Sequence, residues 1–130
     1  MIALDTNVIV RFLVQDEAEQ SRRATELIEE LSPDDPGLVS REVLLELVWV
    51  LERAYGYSRL EIASAIDGLL SSSELILEAA DDVGPALDLY RSEGFGFADL
   101  MIAAAARRLG ASEVVTFDRR AARLPGVRLL

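Results

Sequence analysis

Four carboxylates stand where apolar segments end, or inside them, and acids are rare in such places. Asp5 closes the strand-like run Met1-Ile2-Ala3-Leu4, and Asp118 closes Val114-Val115-Thr116-Phe117. Asp99 opens the apolar run from Leu100 to Ala106. Glu46 is the lone acid in 43–51, where the other eight residues are all apolar. A buried carboxylate is costly unless it is paired or binds a metal. Four of them, far apart in sequence, point to one shared site, most naturally for a hard cation such as Mg²⁺ or Mn²⁺.

Each acid also has a plainer use. Asp5 and Asp118 could simply cap the turns that follow them. Asp99 could be a first-turn acid favoured by the helix macrodipole. Residues 100–106 are apolar all round, however, which marks a helix covered on every side and places its start at a cleft. Glu42 lies only about 40° from Glu46 around the same helix, so spacing leaves the choice between them open. Thr6, Asn7 and Thr116 stand where they could hydrogen-bond carboxylates or a metal-bound water. Trp49, Tyr55 and Tyr57 read as core or interface residues, and Gly94-Phe95-Gly96-Phe97 as a connector.

Composition removes most other chemistry. The 130 residues contain no cysteine, no histidine and no lysine; all 13 basic residues are arginine. Triads built on histidine, thiol nucleophiles, Schiff-base chemistry and zinc–thiolate sites are therefore excluded. Carboxylate, hydroxyl and metal chemistry remain. Hydrophobic residues make up 51% of the chain, and its length suits one domain, 1–130, that buries roughly two-thirds of its unfolded surface. The chain starts on a strand without the pattern of a signal peptide, and no apolar run approaches the ~20 residues of a membrane span. The expected location is cytoplasmic, with no membrane partner.

Net charge is −10, but it is unevenly spread. Residues 1–106 carry 7 arginines against 21 acids, while 107–130 carry 6 arginines against 2. Arg107, Arg108, Arg119, Arg120 and Arg123 fall close to Asp118 in sequence. They read either as a solvated surface or as a rim that contacts phosphate, with Arg119 and Arg120 the candidates for an RNA backbone.

Alternating strand and helix patterns must position these groups. Strands are expected at 2–5, 38–39, 75–77, 113–117 and 127–130, and helices at 7–14, 17–31, 41–55, 59–71, 81–93 and 98–109, with a helical turn at 119–123. Asp16 with Glu19 and Ser58 with Glu61 resemble capping boxes, and Gly94 and Gly110 occupy the usual position after a helix. Strands separated by helices imply an α/β fold with a central parallel sheet, whose ligands bind beyond the carboxyl ends of the strands. Asp5 and Asp118 both stand there.

Ile2-Ala3-Leu4-Asp5-Thr6-Asn7, Glu46 through Glu52, Phe97-Ala98-Asp99 through Ala106, and Val115-Thr116-Phe117-Asp118-Arg119 together resemble the PIN-domain family, and more closely its VapC-type toxins. The resemblance covers nearly the whole chain, with the motifs in family order. It implies a three-layer α/β/α sandwich and metal-dependent endoribonuclease activity on RNA. It also implies an acidic site of Asp5, Glu46, Asp99 and Asp118 with Thr116 in support, and so favours Glu46 over Glu42. Asp5, Asp99 and Asp118 would be the ligands of Mg²⁺ or Mn²⁺, with Glu46 ligating through water or acting as general base. Partners implied are a cognate antitoxin protein and a second copy of the chain in a homodimer. Some members carry a further acid where this chain has Arg120, which leaves the number of metal ions open. Two other classes were weighed. An aspartyl-phosphate enzyme using Asp5 lacks its usual lysine here, and a silent module binding a basic partner would not need four acids.

Overall fold

The computed structural model describes all 130 residues, in two compact units, Met1–Ala80 and Asp81–Leu130. The first unit runs β1 (Ile2–Ala3), α1 (Thr6–Val14), α2 (Ala18–Glu30), β2 (Gly37–Val39), α3 (Arg41–Arg53), α4 (Arg59–Ser71) and β3 (Leu75–Leu77). The second runs α5 (Ala80–Glu93), α6 (Phe97–Arg108), β4 (Val114–Thr116), a 3₁₀ turn (Ala121–Arg123) and β5 (Val127–Leu129). These elements match the sequence expectation closely, and every strand pairing is parallel. One central sheet is expected; the observed ladders are two, β1-β2-β3 in the first unit and β4-β5 in the second.

In the first unit β2 is the middle strand, aligned Gly37 to Ile2 on one side and Gly37 to Leu75 on the other. Gly37 is fixed by packing: a Cβ there would lie 2.9 Å from Leu31 Cδ1 and 3.1 Å from both Leu4 and Leu75. Buried side chains include Leu4, Ile9, Val10 and Val39, with Leu44, Leu47, Val48 and Leu51 along one face of α3 and Ile62, Ala63, Ile66 and Leu69 along α4. Their spacing by three and four residues makes one apolar stripe along each helix. Ser58 caps α4 as expected, its hydroxyl accepting from the Glu61 N–H at 3.1 Å while the Glu61 carboxylate accepts from the Ser58 N–H at 2.9 Å. These bonds hold the Glu61 carboxyl below its ordinary pKa. The expected box at Asp16 and Glu19 does not form. Glu17 is the cap of α2, accepting from the Gln20 N–H, because Asp16 is drawn to Arg11 at 3.1 Å and to the Tyr55 hydroxyl at 2.9 Å.

In the second unit Tyr90 is fully buried and meets Phe97 edge to face, with ring centroids 6.0 Å apart. This contact ties α5 to the first turn of α6. Phe95 and Phe97 are thus core residues, and the stretch around them is more than a connector. Helix α6 is not covered on every side: Phe97, Leu100, Met101, Ala103 and Ala104 are buried, but Ile102 is 52% exposed. Gly94 and Gly110 take φ of +75° and +81°, the left-handed conformation that ends α5 and α6.

Two substitutions test this packing. Ser58→Ala should lower unfolding free energy by about 1 kcal/mol, and Phe97→Ala by about 3–5 kcal/mol. Urea denaturation of each variant against the wild type measures both.

Candidate active site

Asp5 follows β1 and is the N-cap of α1, its Oδ1 accepting from the Thr6 N–H at 2.8 Å. Its side chain is exposed, whereas Thr6 beside it is buried. Asn7 is exposed on the first turn of α1. Glu46 sits on α3 with its carboxylate exposed, on the face opposite the buried stripe. The apolar neighbours in sequence therefore do not bury it. Exposed Trp49 and half-buried Val50 belong to the same stretch.

Asp118 repeats the pattern of Asp5 in the second unit. Its Oδ1 accepts from the Arg120 N–H at 2.8 Å and the Ala121 N–H at 3.0 Å, which starts the 3₁₀ turn. Thr116 fixes the approach, its hydroxyl accepting from the Asp118 N–H at 3.0 Å. The capping use weighed for Asp5 and Asp118 is thus real. It consumes one oxygen of each carboxylate and leaves Oδ2 without a bond within the protein. Arg119 and Arg120 extend exposed side chains from this turn.

Asp99 differs from the other three. It lies in the first turn of α6, half-buried, and its carboxylate makes no hydrogen bond and no ion pair. Burial, and then the negative charge of Asp118, raise its pKa above the ordinary carboxylate value. These two acids the structure brings within electrostatic reach. Asp5 and Glu46 belong to the first unit. Within either unit no three carboxylates gather closely enough to form a metal cluster. The sequence reading of buried acids is corrected for Asp5, Glu46 and Asp118, which are solvent-exposed.

Gly96 escaped the sequence reading. Its φ of −67° and ψ of 138° suit any residue, yet a Cβ there would lie 3.0 Å from Asp99 Oδ2. The missing side chain makes room for the carboxylate. Nothing local in the sequence separates this glycine from an ordinary cap.

The PIN domain family model matches residues 2–127, across both units. The chain belongs to the PIN-domain family. The α/β class and wholly parallel pairing agree with that membership. Among curated relatives, the VapC ribonuclease of Aquifex aeolicus (strain VF5) is 33% identical over 121 residues, 92% of this chain and 89% of the relative. Two solved structures are also similar. One is a VapC toxin of Mycobacterium tuberculosis described as cleaving the sarcin-ricin loop, at 23% identity and TM-score 0.47, covering 98% of this chain and 97% of that one. The other is a VapBC complex of Rickettsia felis bound to a DNA fragment from its promoter, at 23% identity and TM-score 0.39, covering 100% and 98%. These two structural likenesses are too loose to carry an argument about this PIN domain.

The donors fit a hard divalent cation. They are carboxylate oxygens alone, with both oxygens of Asp99 and one of Asp118 free of protein bonds, and no arginine paired to either. The mutual repulsion of Asp99 and Asp118 is what a bound Mg²⁺ or Mn²⁺ would relieve.

The direction of the Asp99 shift fixes the sign of a stability test. A carboxyl whose folded pKa lies above its unfolded value stabilises the fold only while protonated. That contribution is full below the unfolded pKa and is lost as pH rises through the folded one. Without metal at neutral pH, Asp99→Asn should therefore melt no lower than the wild type. Any advantage should vanish on acidification below the carboxylate range, as thermal melts across a pH series will show.

Proposed function

We propose that this PIN domain is a VapC-type endoribonuclease that cleaves RNA phosphodiester bonds and is the toxin of a toxin–antitoxin pair. The full-length likeness to a VapC ribonuclease carries this reading. The chemistry left by composition supports it, since a chain without histidine, cysteine or lysine retains carboxylate, hydroxyl and metal chemistry.

On this reading Asp5, Asp99 and Asp118 would hold Mg²⁺ or Mn²⁺, and Glu46 would act as general base toward the attacking water. The bound cation supplies an acidified water and a positive charge to offset that of the phosphate. The chain's own residues do the rest. Thr116 holds the backbone of Asp118, Gly96 leaves space for Asp99, and Thr6 and Asn7 flank Asp5 in support. Arg119 and Arg120 contact the RNA backbone, where a guanidinium forms charge-assisted bonds to phosphate oxygens. Without a cation, the acids would repel an approaching phosphate as well as one another.

The partner in this reading is a small antitoxin protein bound to a homodimer of the chain. A cationic side chain of that partner would relieve the charge at Asp99 and Asp118 as a metal does. Trp49, 60% exposed, offers an aromatic anchor of the kind found in interfaces. No helix is long and apolar enough to cross a membrane, and we place the protein in the cytoplasm with its RNA.

Purified protein should cleave total cellular RNA with Mg²⁺ or Mn²⁺ and stop when a chelator is added. Asp5→Asn and Asp99→Asn should each lose at least about a hundredfold in rate, the several kcal/mol of a lost metal ligand. A variant that keeps wild-type cleavage would remove its acid from the site. Expression of the chain alone should arrest growth, and a co-expressed neighbouring antitoxin should relieve the arrest and co-purify. Harmless expression of an active nuclease would argue against the toxin role.

A further inference from the structure

One cleft in the first unit is a feature that the acids do not use. Helices α1 and α2 lie side by side, and between them opens a cleft of about 440 Å³ that begins at Asn7 and has Val8 and Leu27 on its floor. Its polar lining is Asn7, Arg11, Gln20 and Arg23. No carboxylate lines it, although the chain carries 23 acids against 13 arginines.

The hydrogen bonds around the cleft turn this lining into a set of donors. Arg11 Nε donates to Gln20 Oε1 at 2.8 Å, which engages the amide's acceptor and leaves its NH₂ donors without a bond within the protein. Arg11 is further held by Asp16 at 3.1 Å and by the Tyr55 hydroxyl at 3.2 Å. Asp16 offsets much of the Arg11 charge but fixes where the guanidinium stands. Arg23 is exposed and makes no hydrogen bond or ion pair, so its charge is uncompensated. The Asn7 side chain is likewise free of bonds within the protein. A cleft that presents donors and one unopposed positive charge selects an anion that can accept several hydrogen bonds. Asn7 lies only two residues beyond Asp5.

We infer that the α1–α2 cleft is a phosphate subsite for the RNA strand, separate from the scissile position, with Arg23 as its principal contact and Arg11 and Gln20 as its fixed wall. The inference rests on the ribonuclease reading, and it adds a sequence-independent contact that lengthens the RNA held by the protein. Such a contact raises affinity and salt dependence without touching the reacting atoms.

The test measures binding of 5′-labelled poly(U) to the full chain in an Asp99→Asn background, by fluorescence anisotropy over a salt series. Arg23→Ala should weaken binding about fivefold, Arg23→Glu further, and each should flatten the log–log salt slope by about 0.7 for the lost phosphate contact. Arg53→Glu, a charge reversal at an exposed residue of α3 that does not line the cleft, should leave affinity nearly unchanged. In the active protein Arg23→Ala should raise KM for RNA at unchanged kcat. Equal weakening by Arg53→Glu and Arg23→Glu would overturn the subsite, because net charge alone would explain it. Wild-type cleavage together with undiminished RNA affinity in Arg23→Glu would overturn the subsite alone. So would loss of antitoxin capture in Arg23→Glu without loss of RNA affinity, which would make the cleft a protein-docking surface. A wild-type chain that neither binds nor cleaves RNA would overturn the ribonuclease reading and the subsite with it.

Discussion

A chain that leaves a parallel strand must turn at once, and the first N–H groups of the turn that follows have no partner inside it. Both units of this protein meet that constraint with an aspartate. Asp5 accepts from Thr6 after β1, and Asp118 accepts from Arg120 and Ala121 after β4. One oxygen is spent on the backbone and the other is left free. The same residue therefore ends a strand, starts a helix, and holds a negative charge in a fixed direction at the strand's carboxyl end. Capping and metal binding would not be rival uses of these acids, because each cap leaves the second carboxylate oxygen free.

Asp99 supplies what the caps lack. Its place in the first turn of α6 is set by Phe97, buried against Tyr90, so the packing of α5 on α6 decides how much water reaches the carboxylate. Partial burial and the nearby charge of Asp118 both disfavour its ionised form. Gly96 keeps space open beside it. The electrostatic strain comes from burial of Asp99 and the nearby charge of Asp118, and a divalent cation would turn it into binding energy.

Much of this was legible in the sequence, for physical reasons that differ by residue. The helices α3 and α4 were legible near their observed bounds, and their buried Leu44, Leu47, Leu51, Ile62 and Ile66 keep the helical period that links sequence to burial. Ser58 and Glu61 were readable because a capping box is a local pattern. Burial of the acids was not. Glu46 has apolar neighbours along the chain, but a helix turns it to the face opposite Leu44, Leu47 and Leu51. Asp16 was misread as a cap because Tyr55, 39 residues away, competes for it. Gly96 and the α1–α2 cleft depend on tertiary packing and leave no local mark. The electrostatic coupling of Asp99 to Asp118 left no local mark either, because the strand-end rule covers Asp5 and Asp118 but not Asp99, which opens a helix.

The central claim is that Asp99 and Asp118 form a cation-binding pair on which RNA cleavage depends. Isothermal titration of Mn²⁺ into the wild type, Asp99→Asn and Asp118→Asn tests it most directly, with RNA cleavage measured on the same samples. Saturable binding to the wild type, weakened about tenfold or more in each variant with cleavage falling in step, is the predicted result. Unchanged Mn²⁺ affinity in both variants, or full cleavage in either, would contradict it.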